Sequence, residues 1–214
     1  MSQGVASRPA RRTWAQEAVP ETVALALPTD VSLVVSPDDF ERLCRANPEL
    51  RLERESDGEL TVMPPACMDS SSRNAGIAGQ LWNWNRQSRL GVVFESSGGF
   101  TLPNSAVRAP DACWMTRERW ATLPEAERRT FTRTAPDFVV ELRSPSDSRS
   151  KLEAKMEEYI AQGVRLGWLI DPELGTVAIY RPGRPVERLE RPATLSGEDV
   201  LPGFVLDLKG ILFD

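Results

Sequence analysis

Along residues 36–181 the apolar positions switch repeatedly between two periods, and each switch marks an element. SPDDFERLCRAN (36–47) sets Phe40, Leu43 and Cys44 at helical spacing behind Ser36, a suitable N-cap, and Pro37, which suits a first turn. RLERESDGELTVMPP (51–65) alternates on either side of Asp57-Gly58, which predicts a hairpin, and Pro64-Pro65 stops its second run. SSSRNAGIAGQLWNWNRQSRL (70–90) returns to helical spacing through Ile77, Leu81 and Trp84, with Gly91 as the expected terminator. Two short strands are expected around Ser-Ser-Gly-Gly in 91–103, and DACWM (111–115) reads as a buried strand. The stretch 117–131 is charged and partly helical. DFVVEL (137–142), DSRSKLEAKMEEYIAQ (147–162) and VRLGWLID (164–171) then read as strand, helix and strand, the helix closed by Gly163. TVAIYR (176–181) adds a strand, and short strands and turns continue to LPGFVLDLKGILF (201–213).

Strands that run into a helix and then into a further apolar strand predict a mixed sheet flanked by helices, an α/β or α+β fold. The unit at 137–171 calls for a right-handed crossover, with ligands at the carboxyl ends of its strands. Glu141 lies at that end. The 214 residues suffice for one well-packed domain, read as 31–214, behind a tail at 1–30 expected to be disordered. Arg11-Arg12 hints at a twin-arginine signal, but Glu17, Pro20 and Glu21 break the apolar stretch such a signal needs. No run approaches the eighteen or so apolar residues of a membrane span, and a cytoplasmic location is expected.

Composition then narrows the chemistry. The chain has no histidine, which excludes a Ser-His-Asp or Cys-His nucleophile and any histidine-bound zinc or iron. Proton transfer is left to carboxylates, lysine, tyrosine or metal-bound water. The three cysteines, Cys44, Cys67 and Cys113, are far apart and odd in number, so neither a disulfide framework nor a zinc site follows, and packing among apolar neighbours is expected. Trp82, Trp84, Trp114 and Trp168 could stack bases, but most sit in apolar runs and are expected in the core. A net charge of −5 argues against a generally sticky nucleic-acid binder, although a local arginine cluster can still carry phosphate contacts.

Two Pro-Asp pairs, Pro110-Asp111 and Pro136-Asp137, compete to supply a first carboxylate beside Glu141. Asp137 shares a strand with Glu141 four residues away. At roughly 3.3 Å per residue that separates their α-carbons by about 13 Å, too far to hold one cation, so Asp137 reads as a turn or strand-start residue. Asp111 lies on a different strand that can pair beside that of Glu141. Alone, each carboxylate also reads as a solvated strand end. Lysine is rare here, occurring only at 151, 155 and 209. On the helix after Glu141, Leu152, Met156, Tyr159 and Ile160 mark the buried face; Lys155 falls at its edge beside Tyr159, and Lys151 points further toward solvent. Lys155 can bury its stem and turn its ammonium toward the sheet, or simply snorkel. Arg143 stands two after Glu141 on the same strand face; it stays protonated but can hold phosphate. Two strand-borne carboxylates and a nearby ammonium are the minimum set for metal-assisted phosphodiester cleavage.

The succession DGEL…MPP, then PD, then VVELRSPSDS…K…EY..QGV..GWLIDP…V.IYRPG, then LPGF.LDL resembles the bacterial restriction-endonuclease family catalogued as domain of unknown function 820, within the PD-(D/E)XK nuclease superfamily. The likeness runs over about 36–213. It implies a restriction-endonuclease-like core, with the lysine of the strand motif displaced to the following helix. By that likeness Asp111 and Glu141 are metal ligands for Mg²⁺ or Mn²⁺, Lys155 is the displaced lysine, and Glu53 is a further acidic position near the site. DNA is the implied substrate, and a homodimer is expected because many nucleases cut two strands with two copies. The segment ACMDSSSRN after the paired prolines departs from the family by lacking a histidine that many relatives carry there. The alternative is a catalytically silent nuclease-fold protein that binds DNA or regulates.

Overall fold

The alternating runs pair into a six-stranded sheet and a four-stranded one, and the helical runs cover them. The computed structural model describes residues 31–213, so the tail expected at 1–30, with Arg11-Arg12, lies outside the described residues. Helix α1 (Pro37–Ala46) begins where the sequence predicts: the Ser36 hydroxyl accepts the Asp39 N–H, and Pro37 stands in the first turn. Strands β1 (Arg51–Arg54) and β2 (Leu60–Met63) form the expected hairpin, with Gly58 at φ +98° in the turn.

Helix α2 (Met68–Ser88) does not wait for a glycine to end. Arg89 itself takes the left-handed turn, at φ 56°. Gly91 instead opens β3 (Gly91–Glu95), where a Cβ would stand 2.1 Å from the Met115 carbonyl oxygen and 2.4 Å from the Trp114 ring. There follow β4 (Phe100–Thr101), β5 (Val107–Arg108), β6 (Ala112–Thr116), the short helices α3 (Arg117–Thr122) and α4 (Glu125–Arg128), β7 (Phe138–Leu142), α5 (Arg149–Ala161), β8 (Leu166–Asp171) and β9 (Thr176–Tyr180). Strands β10 (Glu187–Glu190), β11 (Thr194–Ser196) and β12 (Val205–Asp207) complete the order.

The larger sheet runs β10-β9-β8-β7-β6-β3, and the smaller β2-β1-β5-β4; β11 and β12 pair separately. The two runs around Ser-Ser-Gly-Gly therefore join different sheets. Among the strand pairs of the described residues only β7 and β8 run parallel, and α5 is the crossover between them, as the strand–helix–strand pattern predicts.

Strand alternation divides the core. On β6 and β7, Ala112, Trp114, Phe138, Val140 and Leu142 join one buried cluster, together with Ile77 and Leu81 of α2. Cys113, Met115 and Val139 join the other, with Met156 and Tyr159 of α5. Trp114, Trp168, Tyr159 and Phe138 are fully buried, and truncating Trp168 or Phe138 to alanine costs about 3–5 kcal/mol. Two expectations need correction. Trp82 is half exposed, because it steps off the Ile77–Leu81 stripe, whereas Trp84 packs on Trp114 at 5.7 Å between ring centroids. Cys67 is exposed at the start of α2 rather than packed; Cys113 is buried and Cys44 half-buried. No helix among the described residues is long and apolar enough to cross a membrane.

Candidate active site

The same alternation aims two carboxylates at one face. In the β6–β7 register Ala112 opposes Val140 and Cys113 opposes Val139, so one further step sets Asp111 against Glu141. Both fall in the parity of Cys113 and Val139, the side covered by α5. They line a cavity of about 260 Å³ together with Arg51, Asn74 and Lys155.

Each carboxylate is anchored. Asp111 Oδ2 accepts the Leu142 N–H at 2.9 Å, and its Oδ1 accepts the Asn74 amide at 3.1 Å. Glu141 Oε1 accepts the Tyr159 hydroxyl at 2.9 Å and lies 3.0 Å from Lys155 Nζ. Lys155 also donates to Glu53 Oε1 at 2.9 Å. Glu53 is fixed in turn by the Ala109 N–H at 2.9 Å and by Arg108 at 3.5 Å. Arg108, itself buried, pairs further with Glu55 and Glu158. A chain of bonds thus runs from the smaller sheet through Glu53 and Lys155 to Glu141.

Electrostatics follow from this packing. Burial, and then the negative charges of Asp111 and Glu53, push the Glu141 carboxyl up to about 7, against the pull of Lys155. Burial also raises Asp111. Burial alone would lower Lys155, but Glu141 and Glu53 outweigh it, so the lysine is held as an ammonium. Glu53 is desolvated too, yet Lys155, the Ala109 N–H and Arg108 keep its carboxyl below the usual value. A site that strains against two adjacent negative charges is one a hard cation relieves. Among the described residues no group of three or more His, Cys, Asp or Glu is arranged to hold a metal. The Asp111–Glu141 pair offers two oxygen donors beside an open cavity, and a small hard ion such as Mg²⁺ typically takes one or two carboxylates and fills its remaining positions with water and substrate oxygens.

The structure brings Asp111, Glu141, Lys155 and Glu53 together and leaves the other candidates apart. Asp137 sits at the far end of β7, accepting the Thr116 N–H at 2.9 Å and an Arg119 bond at 2.8 Å, a strand-start role. Lys151 is not at the Asp111–Glu141 cavity but lines a neighbouring one of about 490 Å³, which Glu53 and Lys155 also line. Arg143 does not join the site: β7 ends at Leu142, and Arg143 pairs with Asp171 at 3.2 Å and Glu173 at 2.8 Å. The carboxylate of Asp171 is buried and draws that cation away. Sequence reasoning placed Tyr159 in packing alone and overlooked Asn74 and Arg51. The spacing of Tyr159 four residues after Lys155 was a usable signal; Asn74 carries none.

Comparison with known proteins agrees with this architecture. A crystal structure titled as a "putative nuclease belonging to DUF820" from Anabaena variabilis ATCC 29413 matches with a TM-score of 0.69 over 83% of this chain and 97% of that one. At 22% identity the likeness carries the fold alone. No curated protein matches. The model of the Uma2 family, described as "Putative restriction endonuclease", matches residues 37–209, from the first helix to the turn beyond β12, and the chain belongs to that family.

Proposed function

We propose that this protein is a divalent-cation-dependent endonuclease that hydrolyses DNA phosphodiester bonds, with Asp111, Glu141 and Lys155 at its centre. The observation that carries the reading is the juxtaposition of the buried Glu141 carboxylate with the half-buried Asp111 carboxylate at the paired ends of β7 and β6, with an ammonium 3.0 Å from Glu141. Family membership supports the reaction class. Asp111 and Glu141 are the residues that would hold Mg²⁺, or Mn²⁺ in its place. Such an ion, when bound, supplies Lewis acidity at the phosphoryl oxygen and makes water a stronger nucleophile.

The chain's own groups do the rest. Leu142 and Asn74 orient Asp111, and Tyr159 orients Glu141. Lys155, kept protonated by its two carboxylate partners, is suited to neutralising charge that develops on the phosphorus oxygens rather than to removing a proton. Glu53 positions that lysine. DNA is the substrate in this reading, and two copies acting together would cut both strands.

The test is nicking of supercoiled plasmid by the purified protein with Mg²⁺, with Mn²⁺ and with EDTA, alongside Asp111→Asn. Nicked and linear DNA are expected with either metal and none with EDTA. The variant is expected to be slower by about 100-fold or more while remaining folded. Folded wild-type protein that binds plasmid but leaves it intact in both metals contradicts the endonuclease and makes the protein a silent DNA binder.

A further inference from the structure

Among the described residues, one cation at the cavity makes no ion pair with a carboxylate. Arg51 opens β1 and lines the cavity beside Asp111, Glu141 and Lys155. Its Nε and Nη2 atoms are shut off from solvent and have no hydrogen-bond partner. Other arginines near the smaller sheet and the site are committed: Arg54 to the carbonyls of Val35 and Ser105, Arg108 to three glutamates, Arg143 to Asp171 and Glu173. Leaving buried donors of a charged group unmet is costly, so these two N–H groups are suited to an anionic acceptor.

Nε and Nη2 share one edge of the guanidinium plane, and their two parallel N–H groups match two oxygens of a phosphate. Alternation along β1 puts Arg51 on the face of Glu53, whose carboxylate is already engaged by Lys155. Charge points the same way. Glu53, Asp111 and Glu141 outnumber Lys155, an excess that suits a divalent ion, and an incoming phosphodiester then needs a further positive group. We propose that Arg51 binds a backbone phosphate of the nucleic acid at the Asp111–Glu141 pair and so positions the bond to be cut. This rests on the nuclease reading above.

The test measures binding apart from cleavage. Fluorescence anisotropy of a labelled DNA duplex, with Ca²⁺ in place of Mg²⁺ to hold the complex uncut, compares wild type, Arg51→Ala and Arg51→Lys over a salt series. Arg51→Ala is expected to bind about 10- to 100-fold more weakly, with the salt slope reduced by about one. Arg51→Lys is expected to regain the slope but not the full affinity, having the charge without the fork. Should Arg51→Ala not fold, Arg51→Gln takes its place with the same expectation. Wild-type affinity and slope in the variant overturn the assignment of Arg51 while leaving the nuclease reading intact. A wild-type protein that neither binds duplex nor cuts it with Mg²⁺ or Mn²⁺ overturns the nuclease reading, and this assignment with it.

Discussion

Glu141 is the residue on which the site's electrostatics turn. Its carboxyl goes from an ordinary 4.5 in the unfolded chain to about 7 in the fold, chiefly through burial. Between those two pH values the folded state binds more protons than the unfolded one, so the stability this group contributes is full below about pH 4.5 and is lost as pH rises through about 7. The shift corresponds to about 3 kcal/mol. Asp111, also raised, acts in the same sense; Glu53, lowered, acts in the opposite sense at lower pH. In EDTA the wild-type protein is therefore expected to lose more melting temperature from about pH 5 to about pH 8 than Glu141→Gln does, and saturating Mg²⁺ is expected to remove the difference by favouring the ionised carboxylate. Equal pH slopes in EDTA for the two proteins would contradict the placement of Glu141 as a strained, buried acid.

At the scale of elements, pairing decides where the chemistry lies. The β6–β7 register aligns Asp111 with Glu141, and the α5 crossover carries Lys155 back over them. These three are legible in the sequence because Glu141 rides on β7, Lys155 on the 13-residue α5, and Asp111 stands one residue before β6, so parity or helical spacing fixes the face of each. Arg143 shows where parity fails: it assumes a strand that continues, and β7 stops one residue earlier. Glu53 lay on a legible hairpin, but that β1 pairs with β5 and delivers Glu53 to Lys155 is a long-range fact. A strand as short as Val107–Arg108 has no period to read. Gly91 opens β3 rather than stopping α2, because a glycine after a helical run has two meanings that only packing separates. Since its Cβ would collide with the Met115 carbonyl and the Trp114 ring, Gly91→Ala is expected to destabilise the protein by about 2 kcal/mol or more in urea unfolding. A change within a few tenths of a kcal/mol would show that β3 can move away from β6 and does not fix that edge.

Over the whole molecule, a net charge of −5 conceals a division of labour among the cations. Arg108, Arg143 and Arg181 are held in ion pairs with two or more carboxylates, which brace the fold. Lys155 and Arg51 stand at the cavity instead, one between two carboxylates and the other with an open edge. Two sheets meet around this centre, the larger one supplying Asp111 and Glu141 and the smaller one Glu53 and Arg51, so disturbing either reaches the same few side chains. In the proposed function these groups form one metal-dependent phosphodiesterase centre, and Lys155 takes part in the chemistry. The rate of plasmid nicking by Lys155→Ala at saturating Mg²⁺, with folding checked by its melting curve, decides whether it does. A loss of about 100-fold or more in a folded variant is predicted; nicking at the wild-type rate would contradict it and return Lys155 to the role of a buried counter-ion.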